Sequence, residues 1–239
     1  MRILVVNDDG ISSPGIAALA RAASALGEVW VLAPSHQCSG MSQKLSIFDE
    51  LPLRKADFPV PVKAAWSLGG TPTDCVKVAL EHLLDFRPDY VFSGVNDGWN
   101  AGFDIAYSGT IGACYEAVMH QIPAIAFSAQ GRGDLEIAEK YMVTLARELM
   151  ALGQKPGEIW NVNFPSGPVS ALRGILRERT IAPMQLYNAL FSARTHETGH
   201  RLISQIGVPV EKELAPEGSD IAAVLNGYIS VGKIMSPVM

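Results

Sequence analysis

The sequence predicts an α/β fold: a Rossmann-like, doubly wound, mostly parallel sheet with a smaller β-rich C-terminal extension. Three observations carry this. Short unbroken apolar runs, the pattern of strands buried on both faces, recur through the first two thirds of the chain, starting with Ile3-Leu4-Val5-Val6. Ala- and Leu-rich stretches with helix start signals alternate with them. From about Gly167 the alternation loosens into Pro- and Gly-punctuated strand-like pieces. Residues 1–166 are therefore expected to form the Rossmann-like unit, and residues 167–239 a β-rich extension holding a hairpin and an association region, packed on the same core.

Each element has its own signal. Arg2–Val6 reads as a buried strand that switches abruptly into Asn7-Asp8-Asp9-Gly10. A helix follows over Gly15–Leu26, with Ser12 and Ser13 as candidate caps, Pro14 at its first position and Gly27 as its stop. Val29–Ala33 is a second strand ended by Pro34, after which His36–Lys44 is a polar loop. The prolines at 52, 59 and 61 suit residues 45–69 to an edge hairpin or insertion rather than the central sheet. Thr71-Pro72-Thr73-Asp74 opens a helix to about Leu84, with Thr71 as cap and Asp74 three residues on. Tyr90–Ser93 is a strand that delivers the glycine-rich segment Gly94–Gly109. A helix over Thr110–His120, a strand Ala124–Ser128, a helix Leu135–Leu152 and a strand Ile159–Phe164 complete the doubly wound pattern.

Composition narrows the function classes. The chain has 239 residues, 48% of them hydrophobic, enough for one substantial core. Lys and Arg number 19 against 24 Asp and Glu, a net charge of −5 with no basic run, which argues against a nucleic acid duplex or a membrane surface as partner. Cys38, Cys75 and Cys114 are odd in number, widely spaced and in no Cys-x-x-Cys pair, so they suggest neither a disulfide framework nor a thiolate zinc site. No signal-like or membrane-spanning run is present. A soluble, cytoplasmic protein is expected.

In open α/β sheets ligands bind at the carboxyl ends of the strands, and three loops bring oxygen-bearing side chains there. The first carries Asp8 and Asp9, the second Ser39 and Ser42 beside Gly40, the third Asn96, Asp97, Asn100 and Ser108 among several glycines. Adjacent carboxylates repel unless a cation or a shared proton intervenes. An all-oxygen donor set suits Mg²⁺ or Mn²⁺ rather than zinc or copper. Ser108-Gly109-Thr110, at a helix start, offers unpaired backbone N–H groups, a seat for phosphate. Metal beside phosphate seat points to phosphoryl chemistry. An isolated Asp-Asp-Gly is most often only a turn with a helix cap; its placement with the other two loops at one sheet edge changes the reading.

One motif is a decoy. His196-Glu197-Thr198-Gly199-His200 matches the His-Glu-x-x-His zinc pattern, which needs both histidines on one helical face. Thr198 and Gly199 are weak helix formers, and no helical periodicity surrounds them. A turn between two strands at Thr198-Gly199 is the expectation. His82 and His120 are read as structural.

The chain resembles the SurE (survival protein E) family of metal-dependent nucleotide phosphatases. The resemblance rests on Asn7-Asp8-Asp9-Gly10 with Ser13-Pro14-Gly15-Ile16, the Ser39-Gly40 loop, Gly70-Thr71-Pro72-Thr73-Asp74-Cys75-Val76, and Gly94-Val95-Asn96 with Gly98, Asn100, Gly102 and Asp104. Tyr107-Ser108-Gly109-Thr110 and Gly218-Ser219-Asp220-Ile221-Ala222-Ala223-Val224 extend it. It implies one divalent ion per subunit, Mg²⁺ or Mn²⁺, on Asp8, Asp9, Ser39 and Asn96. It also implies a phosphate site formed by Ser39, Gly40, Asn96, Asn100, Ser108, Gly109 and Thr110, with Asp8, Asp9, Asn100 and Ser108 carrying the chemistry. The implied substrates are nucleoside 5′- and 3′-monophosphates and short polyphosphate, and the implied assembly a homodimer or homotetramer. Cys38 stands where family members usually carry Arg before the serine, which removes a bidentate phosphate donor. The hairpin region Leu186–Leu202 has its own sequence, and relatives continue for some way beyond the Gly227–Val231 stretch. Water as nucleophile and an aspartyl-phosphate route through Asp8 are both open, with the absence of an Asp-x-Asp spacing favouring water. The alternative from another class is a non-catalytic, Mg²⁺-dependent module that senses nucleotide or phosphate.

Overall fold

The structure, a computed structural model, describes residues 1–130 and 134–237. In chain order β1 (Arg2–Val6), α1 (Pro14–Ser24), β2 (Glu28–Pro34), β3 (Leu53–Lys55) and β4 (Ala64–Leu68) are followed by α2 (Pro72–Val78) and β5 (Tyr90–Asp97). Next come α3 (Gly109–Met119), β6 (Ala124–Ala129), α4 (Glu136–Leu152) and β7 (Glu158–Phe164). The last third supplies β8 (Gly174–Arg179), β9 (Tyr187–Thr195), β10 (Arg201–Pro209), α5 (Asp220–Leu225) and β11 (Tyr228–Met235).

Nine strands form one sheet in the order β3-β4-β2-β1-β5-β6-β7-β11-β8, and β9 with β10 form a separate antiparallel ribbon. From β4 to β7 every pairing is parallel. β3 and β11 run antiparallel to β4 and β7, and β8 runs parallel to β11. This is the expected mostly parallel, doubly wound sheet with a smaller β element after it. The chain order turns round between β1 and β5, whose ends meet at Val6 and Ser93, so a topological switch point lies beside Asp8.

Alternation along β1 explains the unbroken apolar run: Ile3 and Val5 pack beneath α1 and α4, Leu4 and Val6 beneath α2 and α3. Packing on the first face is close: a Cβ at Gly15 would lie 2.1 Å from the Val95 carbonyl oxygen. A third small core joins Trp99 and Ala101 of the glycine-rich segment to Ala182, Leu186, Ile221 and Val224 of the extension. Among the described residues no helix is long and apolar enough to cross a membrane.

Two boundaries differ from the sequence reading. β5 does not end at Ser93 but continues to Asp97 through a register irregularity between Ser93 and Asn96. Gly94 sits there with φ +129°, and a Cβ on it would meet the Phe127 carbonyl oxygen at 2.1 Å, so the glycine marks a bulge rather than a strand end. The helix read as 71–84 is α-helical only to Val78 and then widens into a π turn over Ala79–Leu83. The 45–69 region does lie at the edge, yet β4 pairs with β2 as a full parallel member of the sheet.

Candidate active site

The turn after β1 is fixed from within. Asn7 is buried, and its Nδ2 donates to the Gly10 carbonyl and to Ser13 Oγ, both at 2.9 Å. Ser13 Oγ in turn accepts from Ile16 N at 3.3 Å and caps α1. The Ile11 N–H donates to the Pro34 carbonyl at 2.9 Å, which locks the turn to the end of β2.

Held in this way, the two aspartates have different neighbours. Asp8 is buried against the start of α3, where Thr110 Oγ1 donates to its Oδ1 at 2.7 Å. Asp9 is half-buried and turns to the end of β5, where the Asp97 backbone N–H donates to its Oδ2 at 2.9 Å. Burial pushes the Asp8 carboxyl up to about 6; the Thr110 bond opposes this and the Asp9 charge adds to it. Burial likewise raises Asp9, against the Asp97 N–H and a Gln37 side-chain bond. Among the described residues no lysine or arginine offsets either charge.

The Ser39 loop is pinned at both ends. The Cys38 N–H donates to the Asp8 carbonyl at 2.7 Å, and the Ser42 N–H to the Tyr107 carbonyl at 2.9 Å. Ser42 Oγ also bonds the Ala106 carbonyl. Ser39 and Gly40 are exposed between these ties, with Gly40 at φ +73°. Ser108 caps α3, its Oγ accepting from Ile111 N at 3.2 Å. Gly109 lies directly against Asp8: a Cβ there would be 3.0 Å from Asp8 Cβ and 3.2 Å from its Oδ2. Asn96 is half-buried on β5, with Nδ2 donating to the Gly98 carbonyl at 2.7 Å. A cleft of about 130 Å³ runs beside Asp9, Asn96 and Asp97.

Asp8, Asp9, Asn96, the Ser39-Gly40 loop and Ser108-Gly109-Thr110 thus gather at one switch point. Asn100 is buried next to Ser128, the residue that pairs with Asn96 across β5 and β6. Its Nδ2 donates to Ser128 Oγ at 2.8 Å, its N–H to Asn163 Oδ1 at 2.9 Å, and its carbonyl accepts from Asn161 and Asn163 at 2.8 and 3.1 Å. It belongs to a buried amide network behind the glycine-rich segment. Sequence reasoning quoted Asn7 only as part of a motif and gave no site role to Gln37, which stands with His36 in place of the family's more basic approach to the serine, or to the Cys38 backbone. The only local signal for Asn7 is an amide placed between an apolar strand and an acidic turn.

The His196–His200 segment is the tip of the β9–β10 ribbon. The His196 N–H donates to the His200 carbonyl at 2.7 Å, and Thr198 Oγ1 sits 2.8 and 2.6 Å from the two Nδ1 atoms. The rings stack with centroids 4.6 Å apart, on a turn and not on a helix face. Among the described residues no group of three or more His, Cys, Asp or Glu is placed to hold a metal. The oxygen set at the switch point contains only two such residues, the others being hydroxyl and amide.

Comparison with known proteins agrees with this architecture. The family model described as survival protein SurE matches residues 3–185. A curated relative named 5′-nucleotidase SurE, from Heliobacterium modesticaldum, is 38% identical over 236 residues, covering 98% of this chain and 86% of its own. The crystal structure of SurE protein from Aquifex aeolicus superposes with a TM-score of 0.83 at 34% identity, covering all of this chain and 95% of that one.

Proposed function

The chain belongs to the SurE family, and from that membership we propose that it is a divalent-metal-dependent 5′-nucleotidase that hydrolyses nucleoside 5′-monophosphates to nucleoside and phosphate. The observation that carries the reading is the seating of Gly109, at the start of α3, against the Asp8 carboxylate, with a Cβ position 3.2 Å from Oδ2. That contact joins a desolvated acidic pair to an anion-binding helix end.

The residues present fit a hard cation. Asp8 and Asp9 are adjacent, desolvated and without a basic partner among the described residues, so a divalent ion relieves a repulsion the protein otherwise carries. We assign the ion, Mg²⁺ or Mn²⁺, to Asp8, Asp9, Ser39 and Asn96. When bound, it supplies charge neutralisation and polarises a phosphate oxygen. The protein's own groups orient the substrate. At the start of α3 the backbone N–H groups of Gly109 and Thr110 and the Ser108 hydroxyl are the donors for the phosphate oxygens, assisted by the helix dipole. The Thr110 hydroxyl holds Asp8 Oδ1 in place. One carboxylate of the pair takes the proton of an attacking water. 3′-Monophosphates and short polyphosphate present the same terminal phosphate to the same donors, and we include them as substrates.

We further propose a homodimer or homotetramer joined through the ribbon. Leu190, Phe191, Ile203 and Ile206 are each more than half exposed on a two-stranded element that is marginal unless covered.

The test is phosphate release over a panel of mononucleotides and polyphosphate with Mn²⁺, Mg²⁺ or chelator. Turnover that stops in chelator and returns with metal is expected, with Asp9→Asn lowering it by about 100-fold or more while thermal stability holds or rises. Undiminished turnover in excess chelator sinks the metal assignment, and nucleotide binding without phosphate release makes the protein a sensor.

A further inference from the structure

The root of the ribbon is sewn to the strand end that carries Asn96. The Leu186 and Tyr187 N–H groups both donate to the Asp104 carboxylate, at 2.8 and 2.9 Å, and the Phe103 N–H to the Met184 carbonyl at 2.8 Å. Gln185 bridges Gly102. Along this seam Tyr187, the first residue of β9, turns its hydroxyl into the Asn96–Trp99 turn. Oη donates to Gln130 Oε1 at 2.6 Å and accepts the Trp99 backbone N–H. It lies 3.9 Å from the place a Cβ on Gly98 would occupy, and Asn96 Nδ2 lies 3.7 Å from that same place.

Gly98 is the residue that orients the Asn96 amide. Its carbonyl accepts Asn96 Nδ2 at 2.7 Å, which leaves Oδ1 as the atom offered to a ligand. Its N–H is shared between the Asn96 carbonyl at 3.1 Å and the Ala129 carbonyl at 2.8 Å, one residue before Gln130. The hydroxyl of Tyr187 therefore ties Gln130 at the end of β6 to Trp99 and closes both ends of the turn that holds Gly98. At φ +136° Gly98 has conformational freedom that this clamp removes.

We propose that Tyr187 is a positioning residue for the metal site: its hydroxyl, bonded to Gln130 and Trp99, fixes the 96–99 turn and so presents Asn96 Oδ1 beside Asp9. The role rests on the assignment of Asn96 as a ligand made above. Burial pushes the Tyr187 hydroxyl up to about 12, so it stays protonated, and a donor, at any working pH.

The experiment measures Mn²⁺ binding to the full-length, metal-stripped protein by calorimetry and by the Mn²⁺ electron paramagnetic resonance signal, for wild type, Tyr187→Phe, Asn96→Ala and the double variant. The ring is kept in Tyr187→Phe, so packing is preserved. Loosening the turn that orients a ligand is expected to raise the Kd for Mn²⁺ by about tenfold, with a melting temperature close to wild type. The double variant is expected to bind no more weakly than Asn96→Ala alone, because both act on one ligand. An unchanged Kd in Tyr187→Phe beside a weakened Asn96→Ala overturns the role of Tyr187, as does a lowered melting temperature with unchanged Kd, or full additivity in the double variant. An Asn96→Ala protein that binds Mn²⁺ as wild type does overturns the ligand assignment itself, and the positioning role with it.

Discussion

Two neighbouring aspartates become different chemical objects because one is bonded to α3 and the other to β5. The difference is measurable in metal-free protein. The carboxyl of Asp8, raised from 3.8 to about 6, binds its proton more tightly folded than unfolded. Its contribution to stability is therefore complete below the unfolded value and is lost as pH rises through the folded one, a loss on the order of 3 kcal/mol. In chelator the melting temperature of wild type should fall more steeply between pH 3.8 and about 6 than that of Asp8→Asn; parallel curves refute the desolvation of Asp8. The two candidate motifs separate by a second pair of substitutions. On the proposed phosphate site, Ser108→Ala removes a donor to developing charge and should cost about 100-fold in kcat. Glu197→Gln, on the ribbon tip, should keep most activity. Kinetics on one mononucleotide, with circular dichroism to check folding, decide the matter, and a dead Glu197→Gln beside an active Ser108→Ala reverses the site assignment. The sequence displayed Asp8, Asp9 and Ser108 by residue type and position alone. Asn100, which shares residue type and segment with Asn96, is bonded into the Ser128–Asn161–Asn163 network by strands far from it in sequence.

At the scale of elements, the site depends on how closely α1 approaches β5. Gly15 near the start of α1 leaves no room for a side chain against the Val95 backbone. Gly15→Ala should destabilise by about 2 kcal/mol or more, since the obstacle is main chain and cannot rotate away. Urea unfolding should show a lower midpoint with an unchanged slope, and a midpoint equal to wild type removes the close-packing argument. Elements with strong local signals were legible: the Pro14 and Pro72 helix starts, the buried β1 run, the Thr198-Gly199 turn. β5 was read too short because Gly94 is a breaker in isolation, and only its pairing with β6 turns it into a bulge. β4 was legible as edge structure, but its parallel pairing with β2 is a choice of partner that no local pattern encodes.

For the whole molecule, the ribbon is the part with least support of its own. Phe191 is 66% and Ile206 64% exposed, on opposite faces of the ribbon by strand alternation, so the assembly proposed above has apolar surface to cover on both faces. Phe191→Ser with Ile206→Ser should shift the protein toward a smaller species in sedimentation equilibrium, raising the dissociation constant of the assembly by about tenfold or more. An unchanged assembly places the interface elsewhere.

The sequence by itself determined the class of the fold, the strand ends that carry the candidate site and the oxygen-bearing residue types found there. Those features depend on periodicity, on turn residues and on residue type, all of which are local. Tertiary structure alone decided that Asp8 meets Thr110 and Gly109 while Asp9 meets Asp97, that Asn100 is taken into a buried network, and that Tyr187 reaches the turn beside Asn96. Each of these is a contact between segments tens of residues apart, set by strand order and by packing between layers, and neither is written in any one stretch of chain.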